Sequence, residues 1–263
     1  MKLLALIIAF AISHFVQNPE KFRQYDWFSS WSNWLKQNIK LPKGELTVIA
    51  IIGVPIIIIN FVAIGVFNSA ILELILAVIV LSYSIGPKSL DEEVKNEVIR
   101  ANHGIKKNAK AEVVIKKMTK LALQRWFGVF FWYVVLGVSG AVLYRLSERL
   151  FSLTKDSDKT KPVTEKLMTI LNYPVSWVMV VSLAIASDFE RIYKKCIPSM
   201  KKQNIMKMDT SFLYDAADFA VEICEVNSEE EESIETTTLN VLNRMLVVWL
   251  VFVSLIVILA VMR

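Results

Sequence analysis

An apolar run of 21 residues without a charged side chain, TVIAIIGVPIIIINFVAIGVF, occupies residues 47–67. A helix of about 20 apolar residues is long enough to cross the hydrocarbon core of a bilayer, where only helices or closed barrels satisfy their backbone hydrogen bonds. Similar runs lie at 126–144 and 245–262, and charged stretches separate them. This block pattern predicts an all-α fold: an integral membrane helical bundle with amphipathic cytoplasmic or interfacial helices.

The composition agrees with a membrane protein, since 54% of the residues are apolar and the mean hydropathy is +0.46. The net charge of +5 comes from basic residues beside the apolar runs. Their placement indicates topology signals or contact with anionic lipid rather than with nucleic acid. Cys196 and Cys224 are free thiols or form one disulfide. Only two histidines occur, so we expect no histidine-rich metal site. No cofactor is predicted.

The alternation of apolar and charged stretches divides the chain into six segments. They are an N-terminal helix with an aromatic interfacial segment (1–45), a transmembrane hairpin (46–86), a basic cytoplasmic helical segment (87–125), a transmembrane helix (126–144), a polar segment containing a short apolar helix at 172–187 (145–242), and a C-terminal transmembrane helix (243–263).

Membrane-crossing helices are expected at 46–67, 70–86, 126–144 and 243–262. Helices at 2–16 and 172–187 are expected to be short or partial spans, because each is shorter than a full crossing requires. The tight turn at 68–69 has no positive charge, whereas the polar stretches 18–45 and 87–125 on either side of the hairpin carry five and ten basic residues. By the positive-inside rule, these two segments face the cytoplasm.

The two polar segments beside the hairpin carry the candidate ligand-binding residues. Tryptophans at helical spacing in the first segment are typical of a helix at headgroup level, and a ligand-stacking face is the alternative. Cations beside such rings suit an anionic amphiphile, such as a lipid or a cell-wall fragment, and ordinary topology signalling is the alternative. The candidates are Tyr25, Trp27, Trp31, Trp34, Arg100, Lys106, Lys107, Lys110, Lys117 and Arg125.

A small-residue surface is predicted within the run at 126–144. Gly137, Gly140 and Ala141 recur at three- and four-residue spacing. Small side chains at this spacing let another helix approach closely. We therefore expect these three residues to serve helix packing.

Catalytic motifs are missing from the sequence. It has no P-loop and no G-x-G-x-x-G, H-E-x-x-H or G-x-S-x-G pattern, so no catalytic residue is assigned. Asp215, Asp218 and Glu222 share one helix face and could bind a divalent cation. They fit better as the wet side of an amphipathic helix, and no metal site is predicted.

The segment FFWYVVLGVSGAVLYR at 130–145 resembles an aromatic-glycine-tyrosine-arginine segment of two related membrane families. One is AmpE, the ampicillinase-induction signalling protein, and the other is the cobalamin biosynthesis protein CobD/CbiB, an amide-forming enzyme. The stretch LNYPVSWVM at 171–179 looks like the pattern that follows the loop in these families. The order of helices and polar segments also matches AmpE, so the resemblance covers nearly the full length.

The two families separate on polar residues. Chains of the CobD/CbiB type carry D-P-x-x-x-H-P near the start and an acidic E-N-x-x-D pattern before the shared segment. This chain reads HFVQNPEKFRQ and KLALQRWFGVFFW at those places. An amide-forming site needs acids and donors to hold metal, phosphate and amine. The sequence is therefore more similar to AmpE.

Resemblance to AmpE implies a multi-pass protein of the bacterial inner (cytoplasmic) membrane. It also implies a regulatory or signalling role, without catalysis, in β-lactamase induction, antibiotic response and cell-wall stress. The expected partners are membrane lipids, together with a cell-wall-derived ligand or another membrane protein, and not nucleic acid. The alternative is a membrane enzyme of the CobD/CbiB type, an amide synthase.

Overall fold

The computed structural model describes residues 2–15, 24–38, 44–66, 69–85, 90–192, 194, 208–227 and 233–261. Within these ranges every regular element is a helix, which confirms the predicted all-α fold. The helices are α1 (Lys2–Phe15), α2 (Asp26–Asn38), α3 (Glu45–Val66), α4 (Ala70–Ser84), α5 (Leu90–Lys95), α6 (Ile99–Asn102), α7 (Ala111–Ala122) with a π-helical turn (Leu123–Phe127), α8 (Gly128–Leu136), α9 (Val138–Leu153), α10 (Lys161–Ala186), α11 (Ser211–Asn227) and α12 (Ile234–Val261).

Three helices of the described chain are long and apolar enough to cross a membrane. The stretches that meet this requirement are Glu45–Gly65 in α3, Lys161–Ala186 in α10 and Ile234–Leu255 in α12. Helices α1 and α4 are apolar but shorter. Large apolar side chains such as Ile57 and Phe61 are exposed on α3, as expected for a surface that faces lipid rather than water. These features define a helical membrane protein.

The chain folds into two compact units, each built from two separate parts of the sequence. The first unit combines Met1–Pro87 with Gly128–Leu171, and the second combines Lys88–Phe127 with Asn172–Arg263. Helices α1 to α4, α8 and α9 belong to the first unit, and α5 to α7, α11 and α12 belong to the second. The six segments predicted from the sequence follow one another along the chain, and they do not correspond to these two units.

The apolar run at 126–144 is not one helix, so the predicted single crossing there is wrong. Helix α8 ends at Leu136 and α9 begins at Val138. Gly137 between them has a φ of +69°, a left-handed conformation that glycine adopts without the steric cost of a side chain. Apolar composition alone does not reveal this break, because the residues on both sides are equally apolar.

Helices α8 and α9 run antiparallel at very close range. A Cβ atom on Gly128 would lie 2.0 Å from the ring of Tyr144, and one on Gly140 would lie 2.0 Å from the carbonyl oxygen of Trp132. Since residue 128 meets residue 144 while 132 meets 140, the chain reverses direction between the two helices. Only glycine leaves room for this contact.

The apolar helix predicted at 172–187 is longer than expected. Helix α10 begins at Lys161, and the carboxylate of Asp158 accepts hydrogen bonds from the backbone N–H and the hydroxyl of Thr160, both at 2.9 Å. Pro162 occupies the first turn, where its missing N–H has no helical partner to lose. The polar stretch before the apolar run thus starts the helix, and the expectation of a short helix is wrong.

Helix α2 packs on α3 and α9 mainly through Phe28 and Leu35, and Trp31 of its tryptophan row joins this contact. Phe28 and Leu35 are fully buried there, and each such burial contributes roughly 1.5–3 kcal/mol. Trp31 is half-buried and donates its indole N–H to a carbonyl of α3 at 3.1 Å. Trp27 and Trp34 remain about half exposed. The exposed rings give α2 the character of an interfacial helix.

The close packing of α8 on α9 gives a stability prediction. Gly140→Ala places a methyl group against the Trp132 backbone, so we expect a loss of about 1–3 kcal/mol in the free energy of unfolding. Gly53→Ala in α3 is the matched control, since nothing lies within 4 Å of its added Cβ. Unfolding of both variants in detergent, followed by circular dichroism, measures the difference. Equal stability of the two variants would contradict the antiparallel hairpin.

Candidate functional site

A buried arginine at the end of the shared apolar segment joins α9 to the end of α4. Arg145 is 2% exposed, and its Nε donates to the carbonyl of Ser84, the last residue of α4. One terminal nitrogen, Nη1, donates to the Glu148 carboxylate at 2.9 Å. The last carbonyls of a helix lack intrahelical partners and carry partial negative charge, which favours a cation there. Arg145 therefore caps α4 while it remains fixed on α9.

Two tyrosines attach the segment before α2 to the same end of α4. Tyr25 donates its hydroxyl hydrogen to the carbonyl of Tyr83 at 2.6 Å. Tyr83 in turn donates to the carbonyl of Gln24 at 2.6 Å and accepts from the indole N–H of Trp27 at 2.8 Å. The guanidinium carbon of Arg149 lies 4.6 Å from the centre of the Tyr25 ring, a cation–π contact.

The phenol of Tyr25 stays protonated in this setting. Burial raises its pKa to about 12, and the neighbouring Arg145 opposes that rise only in part. A protonated phenol is a hydrogen-bond donor, which is the role its contact with the Tyr83 carbonyl requires. Tyr25 is therefore a fixed structural donor rather than an acid or base.

A cavity of about 160 Å³ lies beside these contacts in the first unit. Helices α3 and α4 supply apolar walls, α9 supplies further apolar side chains beside the buried Arg145, and the segment at the start of α2 supplies aromatic rings. The lining residues are Tyr25, Trp27, Ile59, Ile79, Val80, Tyr83, Ser84, Val142, Arg145 and Leu146. Among these described lining residues there is no carboxylate, imidazole or thiol.

The second unit contains a buried charge network around Glu93. Its carboxylate accepts hydrogen bonds from Nη1 of Arg125 at 2.8 Å and from the side-chain amide of Asn102 at 3.1 Å. Nε2 of His103 lies 3.2 Å from the same carboxylate. The side chain of Glu93 is only 3% exposed. A buried carboxylate is stable when it is paired and hydrogen-bonded in this way, and it becomes costly if one partner is removed.

The network lowers the pKa of Glu93. Burial alone would raise it, but the hydrogen bonds and positive charge of Arg125, with a smaller contribution from His103, outweigh burial. Arg125 belongs to the π-helical turn that follows α7. Such a turn contains one residue more than an α-helical turn, which changes the direction of the Arg125 side chain relative to α7. The carboxylate thus remains ionised and holds α5, α6 and the end of α7 together.

Further polar contacts attach α5 and α6 to α12 within the second unit. Arg100 forms an ion pair with Glu235 and also donates to the carbonyl of Lys107. The amide of Asn243 donates to Asp91 at 3.3 Å. These contacts fix the short helices at the polar end of a long apolar helix.

The candidate cations divide into engaged and exposed residues. Arg100 and Arg125 belong to the ion pairs described above, whereas Lys106, Lys107 and Lys110 are exposed and Lys117 is half-buried. All of them lie in the second unit, while the aromatic candidates lie in the first. Their meeting at one surface stays a prediction.

The remaining candidates take structural positions in the first unit. Tyr25, just before α2, is buried against the end of α4. The rings of Trp31 and Trp34 stack with their centres 5.5 Å apart. Gly140 faces the backbone of α8, Gly137 forms the turn between α8 and α9, and Ala141 is buried beside them. The structure places these small residues where two helices of this same chain meet.

The sequence identified Tyr25, Trp27 and Arg125 as candidate ligand-binding residues, but not the partners that they meet around the end of α4 and around Glu93. Arg145 directly follows a long charge-free segment, a position that marks it as a helix-end contact. Tyr83 and Ser84 close an apolar helix and carry no comparable signal. Glu93 and His103 lie in a charged stretch in which many side chains are simply solvated. Their pairing depends on how α5, α6 and α7 pack.

The acidic face of α11 takes the position that an amphipathic helix requires. Asp215 and Glu222 are exposed and Asp218 is half-buried, while Phe212 on the same helix is buried. Throughout the described ranges, no three histidine, cysteine or acidic side chains are grouped so as to hold a metal ion.

The described chain is all-helical, has three helices long and apolar enough to cross a membrane, and pairs the buried charges of Arg145 and Glu93 internally. Comparison with protein-family models, with curated proteins and with solved structures finds no match for the chain.

The depressed pKa of Glu93 predicts a pH-dependent stability. The group stabilises the fold fully above its ordinary pKa of 4.5, and this contribution disappears as the pH falls through its lower folded pKa. In Glu93→Gln, we expect the free energy of unfolding to decrease less steeply than in the wild type as the pH falls below about 4.5. The control Glu112→Gln, at an exposed carboxylate of α7, should keep the wild-type profile. Denaturant unfolding from pH 3 to 7 checks this, and identical profiles for the two variants would contradict it.

Proposed function

We propose that the chain is a regulatory or signalling protein of the AmpE type in the bacterial inner membrane. The observation that carries the proposal is a cavity whose accessible surface is apolar and whose lining includes the aromatic side chains of Tyr25, Trp27 and Tyr83. Such a lining suits an apolar or aromatic ligand, as expected of a binding protein. The resemblance at 130–145 supplies the link to β-lactamase induction and cell-wall stress.

Placement of the charges in the shared segment also favours regulation over catalysis. Arg145, the last residue of the shared segment, pairs with Glu148 and donates to the end of α4, so its contacts hold helices in place. An amide synthase needs carboxylates and donors directed at phosphate, metal and amine. The alternative of a CobD/CbiB-type amide synthase would have to find these groups elsewhere in the chain.

Deletion of the gene tests the proposed function. We expect β-lactamase induction by a β-lactam to fall in the deletion strain, corrinoid synthesis to stay intact, and the plasmid-borne chain to restore induction. Enzyme activity after induction and growth under corrinoid-dependent conditions are the two measurements. A corrinoid auxotrophy rescued by this chain would support the amide synthase and reject the regulatory role. Loss of neither function would indicate a purely structural membrane protein.

The cytoplasmic segments supply a surface where partners of such a regulator would bind. The positive-inside rule puts both flanks of the α3–α4 pair on the cytoplasmic side, where the exposed lysines of 100–125 and the tryptophans of α2 would face the headgroups. Membrane lipids are the first partners, followed by a cell-wall-derived ligand or another membrane protein. Each exposed lysine near an anionic surface contributes about 1 kcal/mol, so specificity would come from the aromatic rings as well.

Charge reversal separates binding from topology at this surface. We expect replacement of Lys106, Lys107 and Lys110 by glutamate to abolish signalling while membrane insertion stays unchanged, because a repulsive surface no longer holds an anionic partner. The three lysine-to-arginine changes are the matched control, since they keep the charge. Reporter fusions measure orientation, and β-lactamase induction measures signalling. Unchanged signalling would reject the surface, and inverted insertion would assign the lysines to topology alone.

A further inference from the structure

A proline interrupts the backbone hydrogen bonds of the apolar helix α3. Pro55 lies in the interior of this helix and is buried. Proline has no backbone N–H, so the carbonyl of Ile51, four residues earlier, lacks the donor that any other residue at position 55 would supply. Ile51 is fully buried, and a carbonyl without a donor is costly in apolar surroundings. This turn of α3 therefore needs a hydrogen-bond donor from another part of the chain.

The indole of Trp31 in α2 supplies a donor to this carbonyl. Its Nε1 donates to the carbonyl oxygen of Ile51 at 3.1 Å. An indole has one N–H and no acceptor, so this single bond uses the whole hydrogen-bonding capacity of the side chain. Ile51 belongs to the apolar cluster that α2, α3 and α9 form, and Trp31 packs against that cluster. The bond thus lies within a packed contact between an interfacial helix and a helix of membrane-crossing length.

Other polar contacts hold the two ends of α2 to different parts of the first unit. At the start of the helix, the indole N–H of Trp27 donates to the hydroxyl of Tyr83 in α4 at 2.8 Å. Near its end, Lys36 forms an ion pair with Asp158 at 2.7 Å. Neither of these two contacts involves α3, whereas Trp31 donates directly to the backbone of α3.

We propose that Trp31 replaces the hydrogen bond that Pro55 removes from α3, so that docking of α2 and closure of this turn form one conformational unit. When α2 moves away from α3, the Ile51 carbonyl loses its donor, and the turn before Pro55 opens more easily than the rest of the helix. The rings of Trp27 and Trp34 on α2 remain about half exposed. A lipid or protein that binds these rings and moves α2 thereby changes the backbone of a membrane-crossing helix.

This conformational unit goes beyond the proposed function, because the hydrogen bond acts whether or not the protein regulates a β-lactamase. It gives a regulatory protein one physical connection between a surface helix and a helix inside the bilayer. Its tests use the purified full-length chain and do not measure induction, so they succeed or fail independently of the regulatory role.

A double-substitution experiment tests whether Trp31 acts through Pro55. Trp31→Phe keeps an aromatic ring and removes the N–H, and Pro55→Ala restores a backbone donor to the Ile51 carbonyl. We expect Trp31→Phe to lower the Tm by about 2–4 °C beside proline and by less than about 1 °C beside alanine, since alanine makes the indole donor unnecessary. Thermal unfolding in a neutral detergent, followed by near-ultraviolet circular dichroism, measures the four Tm values. Equal shifts in the two backgrounds would overturn the proposal.

Trp27→Phe is the matched control on the same helix. It also removes an indole donor, but the bond that it breaks leads to Tyr83 and not to α3. We therefore expect the same loss of Tm with proline and with alanine at position 55. A loss that depends on residue 55 as strongly as that of Trp31→Phe would show a general effect of weaker α2 docking and would overturn the proposal. Pro55→Gly restores the same backbone N–H and serves as a second background.

Hydrogen exchange of the folded chain provides a measurement that needs no change at Pro55. In Trp31→Phe, we expect the backbone amides of α3 next to Pro55 to exchange about fivefold faster than in the wild type, because the turn opens more often without the indole donor. In Trp27→Phe, these amides should keep the wild-type rate. Mass spectrometry of peptides from the detergent-solubilised chain resolves this segment. An unchanged exchange rate around Pro55 in Trp31→Phe would reject the coupling between α2 and α3.

Discussion

The arrangement of the first unit depends on the contact between α8 and α9. Two glycines bring a backbone carbonyl and a tyrosine ring to distances that any side chain would prevent. The reversal at Gly137 lets the two helices pack against each other. Helix α9 then offers its other sides to α3 and α4, so the floor of the cavity and the position of Arg145 both follow from this contact.

Buried charged side chains connect helix ends in both units. Arg145 compensates the carbonyls at the end of α4, and Glu93 accepts Arg125 where short helices meet. Removing one partner of such a buried group leaves an uncompensated charge, which lowers the free energy of unfolding far more than the loss of an exposed ion pair does. These contacts therefore specify which helix ends meet, while close van der Waals packing of apolar side chains also stabilises the contacts between helices.

The cavity of the first unit is apolar at its accessible surface, although polar side chains surround it. Aromatic rings of Tyr25, Trp27 and Tyr83 belong to its lining, while the guanidinium of Arg145 is bonded to the end of α4 and to Glu148. The polar groups that are satisfied within the fold hold helices together, and they leave the cavity to apolar or aromatic partners.

The sequence by itself determined the all-α class, because charge-free runs of membrane length leave helices as the local solution for their backbone. It also located α3, α4 and the long C-terminal helix. Only the tertiary structure decided that the run at 126–144 reverses at Gly137, since apolar composition is the same for a straight helix and a hairpin. It likewise decided the partners of Arg145 and Glu93, because a charge in sequence carries no information on which distant carbonyl or cation packing will bring beside it.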